Sequence, residues 1–421
     1  MSLRRTIPAG VIDSAASALA TFVIGLYAVR TLEPAALGAY ALVFSAYVTL
    51  MEVAARLVFL PAEIAASKRP PPERLGGLGD SLRQGAIVAV PAGILTGAAA
   101  LAIPSTVSGE VVAGLTVSAM AATMLSPVQN HIRKMLHIGS RSWSAALISL
   151  VQLATMPMAI FGLAWTGLPD AWHPFGALAA ATLVSGCAGA LLWHRHRSPI
   201  RVTPIPLVSL MRSGRWLVLA GTAPGLGGFG AASLVAHLAG APALGYAEAA
   251  RVLARPVAVL SQGLVAVLGP DLMRAGDSRD RSSGRRISRQ YAVLVAGLGS
   301  VYLLLAGFEW PLNPFALLVP QAYVVPGLTA AFIGVYVVDR VAGAGAGLQL
   351  LGAGRERAVA IGETVASVGR VLGGTTAPFT AAFAVPLGYL IMSMIRRTWA
   401  RVLMRRLYAD RPDSAGHSRR P

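Results

Sequence analysis

Long apolar stretches with few charged residues recur along the whole of this 421-residue chain. A helix of about 20 apolar residues is long enough to cross the hydrocarbon core of a bilayer. Hydrophobic residues make up 55% of the sequence and charged residues only 13%, whereas soluble domains carry about a quarter charged residues. The mean hydropathy is +0.62. The composition therefore excludes a soluble enzyme and predicts an all-α polytopic membrane protein with short loops.

Twelve membrane spans are predicted from the apolar stretches that lie between clusters of charged residues. The first span follows Arg4 and Arg5, as the apolar part of a signal peptide would. It is too long for a signal peptide and many more spans follow it, so we interpret it as a retained helix. The predicted spans cover residues 8–29, 37–60, 86–104, 111–131, 144–165, 174–193, 216–238, 245–268, 291–308, 314–338, 358–373 and 376–394.

The basic residues indicate the orientation of these spans. With a cytoplasmic amino terminus, 30 of the 36 lysines and arginines fall in segments on the cytoplasmic side, as the positive-inside rule requires. All seven tryptophans lie at or near predicted span ends, where their rings anchor at the interface. Both termini are therefore predicted to be cytoplasmic. The net charge of +18 is explained by this topology, so no nucleic-acid partner is expected. The six other basic residues are Arg30, Arg56, Arg251, Arg255, Arg340 and Arg370.

A short motif is repeated at the start of the second and eighth spans. Ala-Leu-Gly with a nearby tyrosine occurs at residues 36–40 and again at residues 243–246. A chance match in an alanine-rich chain is the alternative to a duplication. A duplication predicts two six-span halves of the same orientation with a binding site between them. The predicted units are a six-helix bundle at 1–200, a basic cytoplasmic linker at 201–215, a second six-helix bundle at 216–396 and a basic cytoplasmic tail at 397–421.

Three stretches carry a resemblance to a known family. They are Arg-Thr-Leu-x-Pro-x-x-Leu-Gly-x-Tyr at 30–40, the repeated Ala-Leu-Gly-Tyr at 243–246 and Pro-Asp-Leu at 270–272. The sequence resembles the polysaccharide exporter and lipid-linked oligosaccharide flippase branch of the multidrug/oligosaccharidyl-lipid/polysaccharide (MOP) superfamily. The motifs cover a small part of the chain, while the plan of twelve spans with a basic central linker fits most of it. Its richness in alanine, glycine and arginine suggests a divergent member.

The resemblance implies both a fold and a function. The fold would be two six-helix bundles forming a V around a central cavity, as in MATE transporters, which alternates between inward-open and outward-open states. The substrate would be an anionic polyprenyl-pyrophosphate-linked oligosaccharide, and the location the bacterial cytoplasmic membrane. The expected partners are membrane lipids and a polysaccharide polymerase or glycosyltransferases of the same pathway.

Charged side chains within a span are costly and are functional candidates by default. Glu248, Arg251 and Arg255 share one face of the eighth span at spacings of three and seven residues. Arg255 is ten residues beyond Gly245, about 15 Å into the membrane at 1.5 Å per residue. We expect Arg251, Arg255 and Arg370 to line the cavity and bind pyrophosphate, because a guanidinium is a planar fork that matches phosphate oxygens. The alternative is internal pairing, with Glu248 neutralising Arg251.

Other charges within the spans have pairing partners in sequence. Glu52 and Arg56 are four residues apart on one helical face and can pair, and Glu363 could likewise neutralise Arg370. Asp13, in the first span, is the candidate for a proton or cation site that couples transport. Its alternative role is a hydrogen bond to a neighbouring helix.

The seventh span contains a run of glycines around a proline. Pro224 lacks an amide hydrogen, and Gly225 and Gly227 pack poorly in a regular helix, so a bent or locally unwound hinge is predicted here. The alternative is close helix packing through Gly221 and Gly225. The Gly-x-Gly-x-x-Gly pattern at 225–230 is accidental, because no βαβ unit surrounds it.

Several chemistries are not expected of this chain. It has no Walker A motif for ATP, and its single cysteine, Cys187, excludes an internal disulfide. No metal site, cofactor or catalytic group is predicted. Energy for transport must then come from an ion gradient, the membrane potential or the substrate gradient.

The sequence thus predicts a flippase for an anionic lipid-linked oligosaccharide. One alternative is an ion-coupled drug or metabolite antiporter of the MATE or major facilitator type, and residues 76–83 partly match the facilitator motif. The second alternative is a membrane-embedded glycosyltransferase or polymerase. Such an enzyme needs a large polar outer loop, and the predicted outer loops are short.

The predicted topology can be tested with reporter fusions. Reporters fused after Gly167 or Gly240 should read outside, and one fused after Arg281 should read inside, because the basic segments must stay cytoplasmic. Paired alkaline phosphatase and fluorescent protein fusions measure this, and a reversal at any of the three positions would refute the topology.

Overall fold

The computed structural model describes residues 3–196, 202–308, 310, 313 and 318–409. Parts of three predicted segments lie outside the described residues. They are residues 197–201 where the first predicted bundle meets the linker, residues 314–317 at the start of the tenth predicted span, and the tail beyond residue 409. The described residues form helices joined by short turns.

Twelve helices of 19 residues or more run through the described residues. The helix that ends at Ala54 continues through a π-helical turn (Ala55–Phe59) into a further helical segment, Leu60–Ser67. The twelve are α1 (Leu3–Thr31), α2 (Pro34–Ala54), α3 (Leu78–Gly97), α4 (Gly109–Ile138), α5 (Ser142–Trp165), α6 (His173–His196), α7 (Leu207–Leu238), α8 (Ala241–Asp277), α9 (Arg281–Ala306), α10 (Leu328–Gly352), α11 (Glu356–Gly374) and α12 (Ala384–Ala409).

These helices make the chain a multi-pass membrane protein. Ten of the described spans are long and apolar enough to cross a bilayer, and α8 brings the number to eleven although it bends by 54° between Ala241–Val265 and Val267–Asp277. The remaining helix, α11, is more polar because it carries Arg357, Glu363 and Arg370. It nevertheless packs along α7 and α12. The predicted all-α polytopic fold is confirmed.

The predicted position of the tenth span, 314–338, is wrong. Helix α10 runs from Leu328 to Gly352, because Pro320 and Pro326 interrupt the apolar stretch before it and Gly327 turns the chain with a φ of 74°. A proline cannot donate the helical hydrogen bond and restricts the residue before it. The shift moves Asp339 from the end of the span to the middle of the helix.

The predicted twelfth span, 376–394, is also misplaced. A short helix (Ala377–Thr380) and a 3₁₀ turn (Ala381–Phe383) precede α12, and the φ of Ala381 is 46°. Helix α12 then extends from Ala384 to Ala409. Arg396, which we counted in the cytoplasmic segment, therefore lies within the helical bundle.

The two sets of six helices share one pattern of neighbours. In the first set, α1 packs on α5, α5 on α6, α6 on α4, and α2, α3 and α4 on one another. The second set repeats these contacts: α7 packs on α11, α11 on α12, α12 on α10, and α8, α9 and α10 on one another. The sets meet where α2 contacts α7 and α8 and where α1 contacts α8. Exchanging each helix for its counterpart in the other set, α1 for α7 and α2 for α8, leaves these contacts unchanged. This arrangement favours a duplication with parallel halves; the proposed domain boundaries remain a prediction.

The repeated Ala-Leu-Gly motif lies where α2 crosses α8. A Cβ atom on Gly38 would clash with the carbonyl oxygen of Ala241, and one on Gly245 would clash with the carbonyl oxygen of Pro34. Each motif therefore supplies the glycine that lets the other half's backbone approach. The symmetry of the contact explains why both copies of the motif keep glycine at this position.

Substitution of Gly245 tests this crossing. Gly245→Ala should lower the melting temperature of the purified protein in detergent by several degrees, because its methyl group meets the backbone of α2. Gly263→Ala is the control on the same helix, since nothing lies within 4 Å of its Cβ position, and it should leave the melting temperature unchanged or raised. Equal melting temperatures for both variants would contradict the close approach.

Candidate functional site

A cavity lies between the two halves, where α2, α7, α8, α11 and α12 meet. Small and apolar residues form most of its wall, including Ala41, Ser45, Gly228, Ala232, Leu244, Ala247 and Val385. Its charged residues are Glu248, Arg251 and Arg370. Of the three arginines expected to line the cavity, Arg251 and Arg370 thus line this space, and Arg255 is not among its lining residues.

Glu248, in the wall of this cavity, bridges two arginines. The side chain is buried, with 2% of its surface exposed. Its Oε2 lies 2.5 Å from Nη2 of Arg251, and its Oε1 accepts a hydrogen bond of 3.0 Å from Nη2 of Arg255. Arg255 also donates from Nη1 to the carbonyl oxygen of Thr21, on α1, over 2.9 Å. Arg255 therefore connects α8 of the second half to α1 of the first.

The helical spacing and one aromatic ring explain this geometry. Residues 248, 251 and 255 are three and seven positions apart, so their side chains project from one face of α8. The ring of Phe44, on α2, lies under both guanidinium groups, 5.4 Å from that of Arg251 and 4.7 Å from that of Arg255. Internal pairing and cavity lining thus both occur. Because two guanidinium groups share one carboxylate, the cluster keeps one positive charge.

Arg370, on α11, is buried in the cavity wall with 8% of its surface exposed. It donates from Nη1 to the carbonyl oxygen of Pro224 over 2.9 Å, and its guanidinium lies 3.7 Å from the centre of the Tyr389 ring. Its Nε is buried without a hydrogen-bond partner. No carboxylate forms an ion pair with it within the described part of the chain.

The alternative pairing of Glu363 with Arg370 is not observed. Glu363 accepts instead from Nη2 of Arg396, on α12, over 2.7 Å. Arg396 also donates from Nη1 to Asp339, on α10, over 2.6 Å. The sequence reasoning missed this cluster because both the tenth and the twelfth spans were misplaced, which put Arg396 outside the membrane.

The glycine-rich segment of α7 is helical throughout. The predicted local unwinding is not observed, since α7 is continuous from Leu207 to Leu238 with Pro224 inside it. A Cβ atom on Gly225 would meet the side chain of Thr49, and one on Gly227 would meet Ser367. These contacts fit the close-packing alternative, and the hinge stays a prediction.

Asp13 and the pair of Glu52 and Arg56 lie apart from the cavity wall. Arg56 Nε lies 2.5 Å from Glu52 Oε2. Asp13 is 7% exposed and accepts from Nε2 of His137 over 3.0 Å and from Oγ of Ser149 over 2.5 Å. Both partners come from neighbouring helices, α4 and α5.

A second buried network was not anticipated from the sequence. His131 Nδ1 lies 2.9 Å from Oε1 of Glu63, and its Nε2 lies 2.8 Å from Oγ of Ser81. The Phe59 ring stacks on His131 at 4.3 Å, and only 1% of the histidine is exposed. This buried network therefore connects the helical segment Leu60–Ser67 to α3 and α4. The sequence did contain one signal for this network, namely a glutamate and a histidine near the ends of two predicted spans.

Among the residues that the structure describes, no group of three or more histidines, cysteines, aspartates or glutamates is placed to hold a metal ion. The arrangement of the cavity suits binding of an anion. It combines a carboxylate-bridged pair of arginines with one further buried arginine.

Comparison with known proteins shows similarity at the level of structure. No protein-family model matches the chain, and no curated protein matches it. An inward-facing multidrug resistance transporter of the MATE family, in the MOP superfamily, is similar with a TM-score of 0.71 and 14% identity over 94% of this chain and 96% of that chain.

Two further solved structures are similar. An outward-facing multidrug resistance MATE family transporter gives a TM-score of 0.62 and 14% identity, over 97% of this chain and 96% of that one. The eukaryotic MATE transporter AtDTX14 gives 0.70 and 13%, over 96% and 97%. At such identities the likeness establishes the fold alone. The chain has the fold of the MATE transporters of the MOP superfamily.

Proposed function

We propose that this protein is a MOP superfamily transporter that moves an anionic polyprenyl-pyrophosphate-linked oligosaccharide across the bacterial cytoplasmic membrane by alternating access. The observation that carries this proposal is the environment of Arg370. A guanidinium buried at membrane depth is costly unless an anion compensates it. The described residues supply no carboxylate for Arg370, so a substrate anion would fill that role.

The charge balance of the site supports a substrate with more than one negative charge. Arg251 and Arg255 share one carboxylate, Glu248, and Arg370 lines the same cavity as Glu248, so that these four side chains carry two net positive charges. A pyrophosphate diester carries two negative charges at neutral pH and would balance them. Its oxygens also suit the planar guanidinium fork.

Substrate binding and movement of the halves would be coupled through Arg255. Its Nη1 bond to the Thr21 carbonyl links α8 to α1, and its Nη2 bond links it to Glu248. A phosphate oxygen that took either place would weaken the contact between the halves. The substrate would then bind more tightly to a state in which α1 and α8 are separated, and this difference in affinity would shift the protein towards that state.

Two features favour an inward-facing assignment for the conformation described. The predicted outer ends of α2 and α8 are held together at Gly38 and Gly245, and the Tyr323 hydroxyl donates to the carbonyl oxygen of Leu32 in the same region. The fold is also more similar to the inward-facing MATE family transporter than to the outward-facing one. In this state the cavity would load from the cytoplasmic side.

Coupling to an ion gradient would use Asp13. Its buried carboxylate is held by His137 and Ser149 and lies 3.5 Å from Nε of Arg133. Protonation of the carboxylate would weaken all three contacts, which tie α1 to α4 and α5. Uptake of a proton there could therefore shift α1, the helix that also meets Arg255 at Thr21.

The antiporter alternative differs in the charge of its cargo. A net positive cavity disfavours a cationic drug and leaves an anionic metabolite as the rival substrate. The polyprenyl anchor distinguishes the two, because a lipid-linked glycan is made on the membrane by glycosyltransferases and consumed by a polymerase. Those enzymes would be the partners of the flippase.

Neutralising the arginines tests the site. Arg255→Ala and Arg370→Gln should each reduce glycan export by about tenfold or more, because a charge-assisted hydrogen bond contributes 1.5–3 kcal/mol or so. Export is measured as cell-surface glycan, with membrane insertion checked by the amount of protein in the membrane fraction. Arg285→Gln, at an exposed arginine of α9, is the matched control and should export normally. Full export by both site variants would refute the assignment.

The Asp13→Asn variant tests coupling separately. In proteoliposomes, transport by the unmodified protein should increase when a pH gradient is imposed, and Asp13→Asn should abolish the increase because the amide cannot take up a proton. Ser149→Ala keeps the carboxylate and should retain a response. A full gradient response in a folded Asp13→Asn protein would exclude Asp13 as the coupling group.

A further inference from the structure

Two arginines from different helices converge on one tryptophan outside the cavity. Trp216 lies near the start of α7, at the predicted cytoplasmic end of its span. The guanidinium carbon of Arg215 is 5.7 Å from the centre of the ring, and that of Arg357, from the first turn of α11, is 5.4 Å away. Both arginines are exposed and the indole is half-buried.

The described part of the chain supplies no ion-paired carboxylate for these arginines. Neither Arg215 nor Arg357 forms an ion pair with a carboxylate among the residues described, and the adjacent Glu356 forms none with Arg357. Arg212, one turn before Trp216, is exposed and equally without an ion pair. The two guanidinium groups near one ring repel each other, and an anion bound by both would remove that repulsion.

The surroundings of the cluster indicate a lipid rather than a soluble anion. Val208 and Met211, on the preceding turns of α7, are exposed apolar side chains and share its face with Arg212 and Arg215. A tryptophan ring at a span end lies at the level of the lipid headgroups. Anionic lipids of the cytoplasmic leaflet attract arginines at that level.

We propose that Arg215, Trp216 and Arg357 form a binding site for the phosphodiester headgroup of an anionic phospholipid in the cytoplasmic leaflet. The phosphate lies between the two guanidinium groups, and the glycerol and upper acyl chain contact Val208 and Met211. The lipid joins the cytoplasmic ends of α7 and α11. These are the helices that carry Pro224 and Arg370 at the cavity, but the lipid site does not depend on what the cavity transports.

The experiment uses the full-length protein in neutral detergent, titrated with phosphatidylglycerol and followed by native mass spectrometry. The unmodified protein should bind one phosphatidylglycerol more tightly than phosphatidylcholine with the same acyl chains. The double variant R215Q/R357Q should weaken that binding by at least about tenfold, since each arginine near the headgroups contributes roughly 1 kcal/mol. R285Q/R286Q removes the same charge from an exposed stretch of α9 and should bind as the unmodified protein does.

A second readout places the lipid at the indole. Phosphatidylglycerol brominated near the headgroup should quench more fluorescence in the unmodified protein than in W216F, which lacks the indole at this site. Equal phosphatidylglycerol binding by R215Q/R357Q and R285Q/R286Q would overturn the proposal. So would tight binding of inorganic phosphate that competes with the lipid, because the site would then serve a soluble anion.

Discussion

One buried carboxylate shared by two guanidinium groups sets the electrostatics of the contact between the halves. In a low-dielectric interior, removal of one partner from such a cluster leaves a charge uncompensated. Glu248 can hold Arg251 and Arg255 together because all three project from one face of α8, while Phe44 of α2 lies beneath both cations. The contact between α2 and α8 is therefore electrostatic as well as steric.

Helix α11 shows how differently two charges on one helix can be compensated. Glu363 shares Arg396 with a second carboxylate, that of Asp339. Two turns further along, Arg370 has a carbonyl and an aromatic ring as neighbours but no ion-pairing carboxylate within the described chain. The same helix thus contributes negative charge to a cluster inside the second half and positive charge to the cavity. These charges explain why α11 is not among the described helices that are long and apolar enough to cross a bilayer.

The sequence predicted most of the fold because an apolar span is a local property. It also predicted the face of α8 that carries Glu248 and both arginines, since helical spacing alone fixes which side chains share a face. It failed where the backbone interrupted an apolar stretch. Prolines delay the start of α10 to Leu328, and a short helix and a 3₁₀ turn delay the start of α12 to Ala384. It also failed for partners supplied by other helices, such as His137 for Asp13 and Arg396 for Glu363, because spacing along one chain segment does not report which helices pack together.

The π-helical turn at Ala55–Phe59 determines which way the side chains of the following helical segment, Leu60–Ser67, point. Such a turn takes up one residue more than an α-helical turn, and returning it to α-helical hydrogen bonding would rotate all side chains beyond it by about 100°. Phe59 would then leave the His131 ring, and Glu63 would lose its bond to Nδ1. The helical segment Leu60–Ser67 can therefore change its neighbours by a shift of one residue in register, while the crossing at Gly38, near the start of α2, stays fixed.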